Sequence, residues 1–140
     1  MSDIIFVDTN VLLDVLLARE PFLADAQRIW TLSERQTIHG VVSAASFLNV
    51  YYIVRRLASR REAERAIHGM RAIFKIAPVD EHVIDLAMKA QSADFEDAVQ
   101  LACAIRAKAI CVITRDERHF AGSALPVMAP DMFLAKIGRS

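Results

Sequence analysis

Glycine is scarce in this chain, with four residues in 140. None falls in a G-x-x-x-x-G-K-[ST] or G-x-G-x-x-G run, which excludes the usual glycine-rich cradles for ATP and NAD phosphates. Cysteine is nearly absent: Cys103 and Cys111 are the only two. They lack C-x-x-C spacing, so neither a disulfide framework nor a thiolate metal site is expected. One sits in an alanine-rich helical run and the other in an apolar strand, the places of small buried hydrophobes in a reducing compartment. An excess of charge of one sign is missing as well, since 17 basic residues face 17 acidic ones. A protein that grips nucleic acid by charge alone would be basic. The balance weighs less against an enzyme whose bound cations bring positive charge to a phosphate. Long hydrophobic runs are also lacking. The richest stretch, Val41 to Val54, is interrupted by Ser43, Ser46 and Asn49 and falls short of the ~18 apolar residues of a membrane span. Asp3, Asp8 and Asp14 interrupt the first apolar stretch and no basic segment precedes it, which is unlike a signal peptide. These absences describe a cytoplasmic protein with no membrane partner, free of repeats and linkers and forming one domain over residues 1–140.

Apolar residues make up 54% of the chain, enough for a sizeable core. Ile4 to Val7 is a continuous β-favouring run, as in a strand buried on both faces. Asp8-Thr9-Asn10 then offers helix-capping chemistry, and Val11, Leu12, Val15 and Leu16 recur at helical spacing. Glu20-Pro21 marks a break. A second helix runs to about Glu34, with Phe22, Ala26, Ile29, Trp30 and Ser33 on one face. Gln36 to Val42 reads as the second strand, and Ser43 as the cap of a helix through Leu57. Ser59 and Glu62 form a capping-box pattern ahead of a helix to about Ile73. Phe74 to Val79 is a short third strand, followed by a helix from Asp80 to about Lys89. Asp94 caps a helix from Phe95 to Ala107. Ile110 to Thr114 is the clearest later strand, Pro126 to Met128 a short edge strand, and Pro130 opens a last helix to Ile137. This alternation predicts an α/β fold: a three-layer α/β/α sandwich around a mostly parallel sheet of about five strands.

Acidic residues stand where strands end and helices begin. Asp8 ends the first strand, Asp94, Glu96 and Asp97 crowd the head of a late helix, and Asp116 follows the strand that ends at Thr114. Open α/β sheets bind ligands at this rim. Each position also has an ordinary reading, because Asp caps helices, favours their N-termini and occupies turns. The joint placement is more specific. Carboxylates converging on one rim repel unless a cation lies between them, and hard oxygen donors suit Mg²⁺ or Mn²⁺. Asp94 and Asp97, three apart, share a helix face, while Glu96 points elsewhere. Asp97 borders the buried face of Ala98, Leu101, Ala102 and Ile105 and is expected to be half buried.

Val7-Asp8-Thr9-Asn10-Val11-Leu12-Leu13-Asp14, Asp94-Phe95-Glu96-Asp97-Ala98 and Ile113-Thr114-Arg115-Asp116-Glu117-Arg118-His119-Phe120, with the segment Ser43 to Arg56, resemble the PIN domain (PilT N-terminal type) in order and spacing. Many small members of that family are toxins of VapC type paired with a small antitoxin. The resemblance implies a ribonuclease that hydrolyses RNA phosphodiester bonds. Asp8, Asp97 and Asp116 would hold Mg²⁺ or Mn²⁺, Asp94 would be a further catalytic acid, and Thr9, Asn10 and Thr114 would support the site. It also implies a homodimer. One departure stands out: Asn49 occupies a helical position where many members carry Glu, and an amide adds no negative charge. A catalytically weakened domain that binds RNA or protein is therefore the alternative. A receiver-like phosphoryl-transfer module ranks below both, because no Lys follows the late strand. Arg115 and Arg118 flank Asp116 and are the residues expected to contact phosphate. Arg60, Arg61 and Arg65 read as a solvated helix surface with Glu62 and Glu64, and His119 as a surface or supporting residue.

Overall fold

The structure is a computed structural model that describes residues 3–90, 92 and 94–138. Five strands form one sheet: β1 (Ile4–Val7), β2 (His39–Ser43), β3 (Lys75–Ala77), β4 (Cys111–Ile113) and β5 (Val127–Met128). Their order is β3-β2-β1-β4-β5, and every pairing is parallel. The helices are α1 (Thr9–Leu16), α2 (Leu23–Glu34), α3 (Ala44–Leu57), α4 (Arg60–Ile73), α5 (Glu81–Lys89), α6 (Phe95–Arg106) and α7 (Pro130–Ile137). A four-residue 3-10 turn, Glu117–Phe120, follows β4. Among the described residues no helix is long and apolar enough to cross a membrane.

Strand alternation divides the core in two. Ile5, Val7, Val42, Cys111 and Ile113 pack with residues of α1, α2, α3, α4 and α7. Phe6, Val41, Ala77 and Val112 face the other way, against Val83 and Ala87 of α5 and the alanine-rich face of α6. Both faces of the central strands are covered, so β1 and β4 read as unbroken apolar runs. Burial raises the thiols of Cys103 and Cys111 to about 11, which leaves both as inert, free core residues.

The shortage of glycine shows at the helix ends. Three helices close with paired 6→1 and 5→2 backbone bonds around a left-handed residue, the position that glycine favours. Here Ala18, Gln36 and Lys108 take it, with φ of 49°, 57° and 61°. After α2, Thr37 N–H bonds Leu32 O at 3.0 Å and Gln36 N–H bonds Ser33 O at 3.1 Å. This closure moves the start of β2 from the expected Gln36 to His39. Glycine appears instead where space demands it. A Cβ on Gly40 would lie 2.6 Å from Ser33 Oγ and 2.7 Å from Phe74 Cδ1, so the missing side chain lets β2 approach Ser33 and Phe74.

Chain direction changes beside β1. The chain first builds outward through β2 and β3, then crosses back to place β4 on the other side of β1. The carboxyl ends of β1 and β4 therefore flank the switch point where open parallel sheets form their crevice.

Candidate active site

Asp8 leaves β1 at this crevice and is nearly buried. Its N–H continues the ladder to Ile113 O at 2.9 Å. A carboxylate so placed needs donors, and three surround it. Thr9 N–H reaches Oδ1 at 2.9 Å, Gln100 Nε2 donates to the same oxygen at 2.9 Å, and the Thr114 hydroxyl donates to Oδ2 at 2.8 Å. Thr114 also accepts from Asn10 Nδ2 and from Asp116 N–H, each at 3.1 Å. Asn10 Oδ1 in turn accepts from Arg115 N–H at 3.2 Å. One buried hydroxyl thus ties the end of β1 to the loop that carries Asp116.

Gln100 was not singled out in the sequence, and it organises the other side. Its Nε2 lies 3.2 Å from Ser46 Oγ, and its Oε1 accepts from the Ser43 hydroxyl. Ser46 meets Thr9 Oγ1 at 2.8 Å. The available signal was one fully buried amide in an alanine-rich helix, three residues after Asp97. Buried polar groups require partners, and these come from α1 and α3.

Asp97 lies one turn before Gln100, its side chain 17% exposed. Its pKa rises from 3.8 to about 6, first because burial strips water from the carboxylate and then because Asp94, Asp8 and Glu96 crowd it with like charge, while His119 opposes the rise. His119 spans the gap to the next acid, with Nδ1 3.5 Å from Asp97 Oδ2 and Nε2 3.0 Å from Asp116 Oδ2. Asp94 caps α6, its Oδ1 accepting from Asp97 N–H at 3.1 Å.

Asn49 stands apart from this cluster and donates to Glu96 Oε1 at 3.2 Å. Arg115 is committed elsewhere. Its Nε and Nη2 donate to the fully buried Asp14 carboxylate at 2.7 and 3.0 Å, and its guanidinium covers the Phe22 ring at 3.9 Å. Arg118 is 94% exposed, with Nε 3.9 Å from Asp116 Oδ1. Arg60 pairs with Glu64 and Arg65 with Glu62 along the α4 surface. A groove of about 710 Å³ opens beside Asp97, bounded by Asp94, Leu101, Arg118, His119 and Ser123.

Among the described residues, no three His, Cys, Asp or Glu side chains close into a ready coordination shell. The acids form an open rim of hard oxygen donors. Mg²⁺ typically takes one or two carboxylates and keeps several waters, so this donor set fits it, and the raised Asp97 shows like charge that a cation would relieve.

No curated protein matches the chain by sequence. Solved structures match its fold. A toxin–antitoxin complex from Klebsiella pneumoniae has 20% identity and a TM-score of 0.67, covering 89% of this chain and 96% of its own. FitAcB from Neisseria gonorrhoeae has 19% identity and a TM-score of 0.67, covering 90% and 97%. VapC20 of Mycobacterium tuberculosis, described as a sarcin-ricin loop cleaving toxin, has 18% identity and a TM-score of 0.63, covering 77% and 86%. The PIN domain pattern matches residues 4–118. With that match spanning most of the sequence and the all-parallel α/β sheet shared with these structures, the chain belongs to the PIN domain family.

Proposed function

We propose that the protein is a metal-dependent endoribonuclease of VapC type, the toxin of a toxin–antitoxin pair. The observation that carries this reading is the gathering of Asp8, Asp97 and Asp116, from three separate elements, around one crevice. Asp97 and Asp116 share His119, and Asp116 and Asp8 share Thr114. Asp8, Asp97 and Asp116 would hold the cation. A bound Mg²⁺ or Mn²⁺ supplies Lewis acidity at the phosphate and acidifies a water for attack. Thr114, Gln100 and Thr9 fix the Asp8 carboxylate so that its remaining lone pairs face the crevice. Asn10 holds the Asp116 loop through Thr114 and Arg115. Asp94 sets the head of α6, and with it the position of Asp97.

The RNA strand would enter along the groove beside Asp97, where exposed Arg118 can meet a phosphate. Arg115 has spent two donors on Asp14 and acts mainly by positioning the loop. A small antitoxin is the expected protein partner, supported by the toxin–antitoxin complexes among the similar structures, and a homodimer is the expected assembly.

The test is cleavage of mixed RNA by purified protein in Mg²⁺, Mn²⁺ or EDTA, beside Asp8→Asn and Asp97→Asn. Metal-dependent cleavage lost in both variants supports the reading. RNA binding without cleavage in either metal would replace it with the binding-module alternative.

A further inference from the structure

Glu96 lies in the first turn of α6 and is exposed. A glutamate there would ordinarily swing freely in water. Instead the Asn49 amide, on a different helix, donates to its Oε1 at 3.2 Å. The contact repeats a pairing one turn deeper. On α3, Ser46 precedes Asn49 by three residues, and on α6, Glu96 precedes Gln100 by four, so each pair shares one helix face. Ser46 and Gln100 meet in the buried network that holds Asp8. The α3 and α6 stripes therefore run side by side from the Asp8 network out to the rim, and Asn49 with Glu96 forms the outermost rung. Glu96 also stands close enough to Asp97 to add to the charge crowding there.

We infer that Glu96 is a fourth carboxylate of the cation site, contributed by α6 and oriented by Asn49. The inference rests on the cation reading given above. Asn49 supplies no charge itself but holds a residue that does. Asp94 at the same helix head spends one oxygen on capping Asp97 N–H, whereas Glu96 is held only through a side-chain amide and keeps Oε2 for a ligand or its water shell.

The test is titration of Mn²⁺ alone into the metal-free protein, followed by calorimetry and by the rise in Tm. Wild type, Asp8→Asn, Glu96→Gln, Asn49→Ala and the double variant Glu96→Gln/Asn49→Glu would be compared. Glu96→Gln is expected to weaken Mn²⁺ binding by about tenfold or more and to leave the metal-free Tm within about 2 °C. Asn49→Ala should weaken binding by a smaller factor, because the carboxylate remains but is no longer aimed. The double variant returns a carboxylate to the same rung from the other helix and should recover affinity. Glu96→Gln binding Mn²⁺ as wild type does, while Asp8→Asn loses it, would overturn the Glu96 assignment alone. A double variant as weak as Glu96→Gln would overturn the exchange across the rung. A wild type that neither binds nor is stabilised by Mn²⁺ would overturn the cation reading, and Glu96 with it.

Discussion

Replacing Asp97 with Asn should stabilise the metal-free protein, although it removes a charged side chain from the centre of the site. Folding raises the Asp97 pKa from 3.8 to about 6, through burial and the neighbouring Asp94, Asp8 and Glu96. At 1.36 kcal/mol for each pH unit, that rise corresponds to at most about 3 kcal/mol of burden on the folded state. The side chain keeps 17% of its surface at a wet rim, and solvent screening reduces the figure to about 1–2 kcal/mol. The sign follows from proton linkage. Below pH 4 both folded and unfolded chains hold the proton, and no penalty exists. Between about 4 and 6 the folded chain retains a proton that the unfolded chain releases, so stability falls as pH rises. Above 6 the full penalty stands. Asp97→Asn cannot titrate, so its advantage should be near zero at pH 4 and fully developed at pH 7.5, where Tm in EDTA should exceed wild type by roughly 3–8 °C. Adding Mn²⁺ should reverse the order, raising wild type alone. A variant less stable than wild type at pH 7.5 in EDTA, or a gap that does not change with pH, would refute the reasoning.

Asp14→Ala removes a fully buried carboxylate paired with Arg115 and, at 3.8 Å, with Arg19. Breaking such a pair costs about 3–5 kcal/mol when the partner stays buried. Arg115 and Arg19 are 27% and 35% exposed and can turn toward water, so urea unfolding should report the lower part of that range, about 2–3 kcal/mol. Gln100→Leu keeps the volume but removes the charge-assisted bond to Asp8, and a loss of about 2–3 kcal/mol in thermal unfolding is expected, with a diminished Mn²⁺ response. Gln36→Gly relieves a left-handed residue worth about 1–2 kcal/mol of strain but adds freedom to the unfolded chain. A net gain of about 0.5–1 kcal/mol should appear as a higher urea midpoint with an unchanged m-value.

The parts of the fold visible in the sequence are those set by local chemistry. Ile4–Val7 and Cys111–Ile113 announce themselves because both faces are buried. Ser43, Ser59, Asp80 and Asp94 announce helix starts, and each side chain accepts from a backbone N–H in the first turn. The sheet proved wholly parallel where a mostly parallel one was expected. The turn Glu117–Phe120 went unread because four residues carry no usable period. Within the site, the positions of Asp8, Asp97 and Asp116 at strand ends and a helix head were legible. Their partners were not. Gln100, Ser46 and Asp14 acquire their roles from residues 54 to 101 positions away, and nothing in local spacing encodes such distances. Glu96 was read as pointing away because helix geometry was considered on α6 alone. Packing against α3 supplies the missing Asn49.

The position of β1 in the middle of the sheet bears on how the protein comes into being on the ribosome. Ile5 is registered with Gly40 on one side and with Cys111 on the other. At a synthesis rate of about 5–20 residues per second, Asp8 waits roughly 5–20 s for the segment carrying Asp116. Throughout that interval β1 has one unpaired edge, and Asp8 lacks both Gln100 and Thr114. No nascent or truncated chain ending before β4 holds a partial version of the crevice. Whatever chemistry the finished site performs switches on in a single step, when the last third of the polypeptide docks against its first strand.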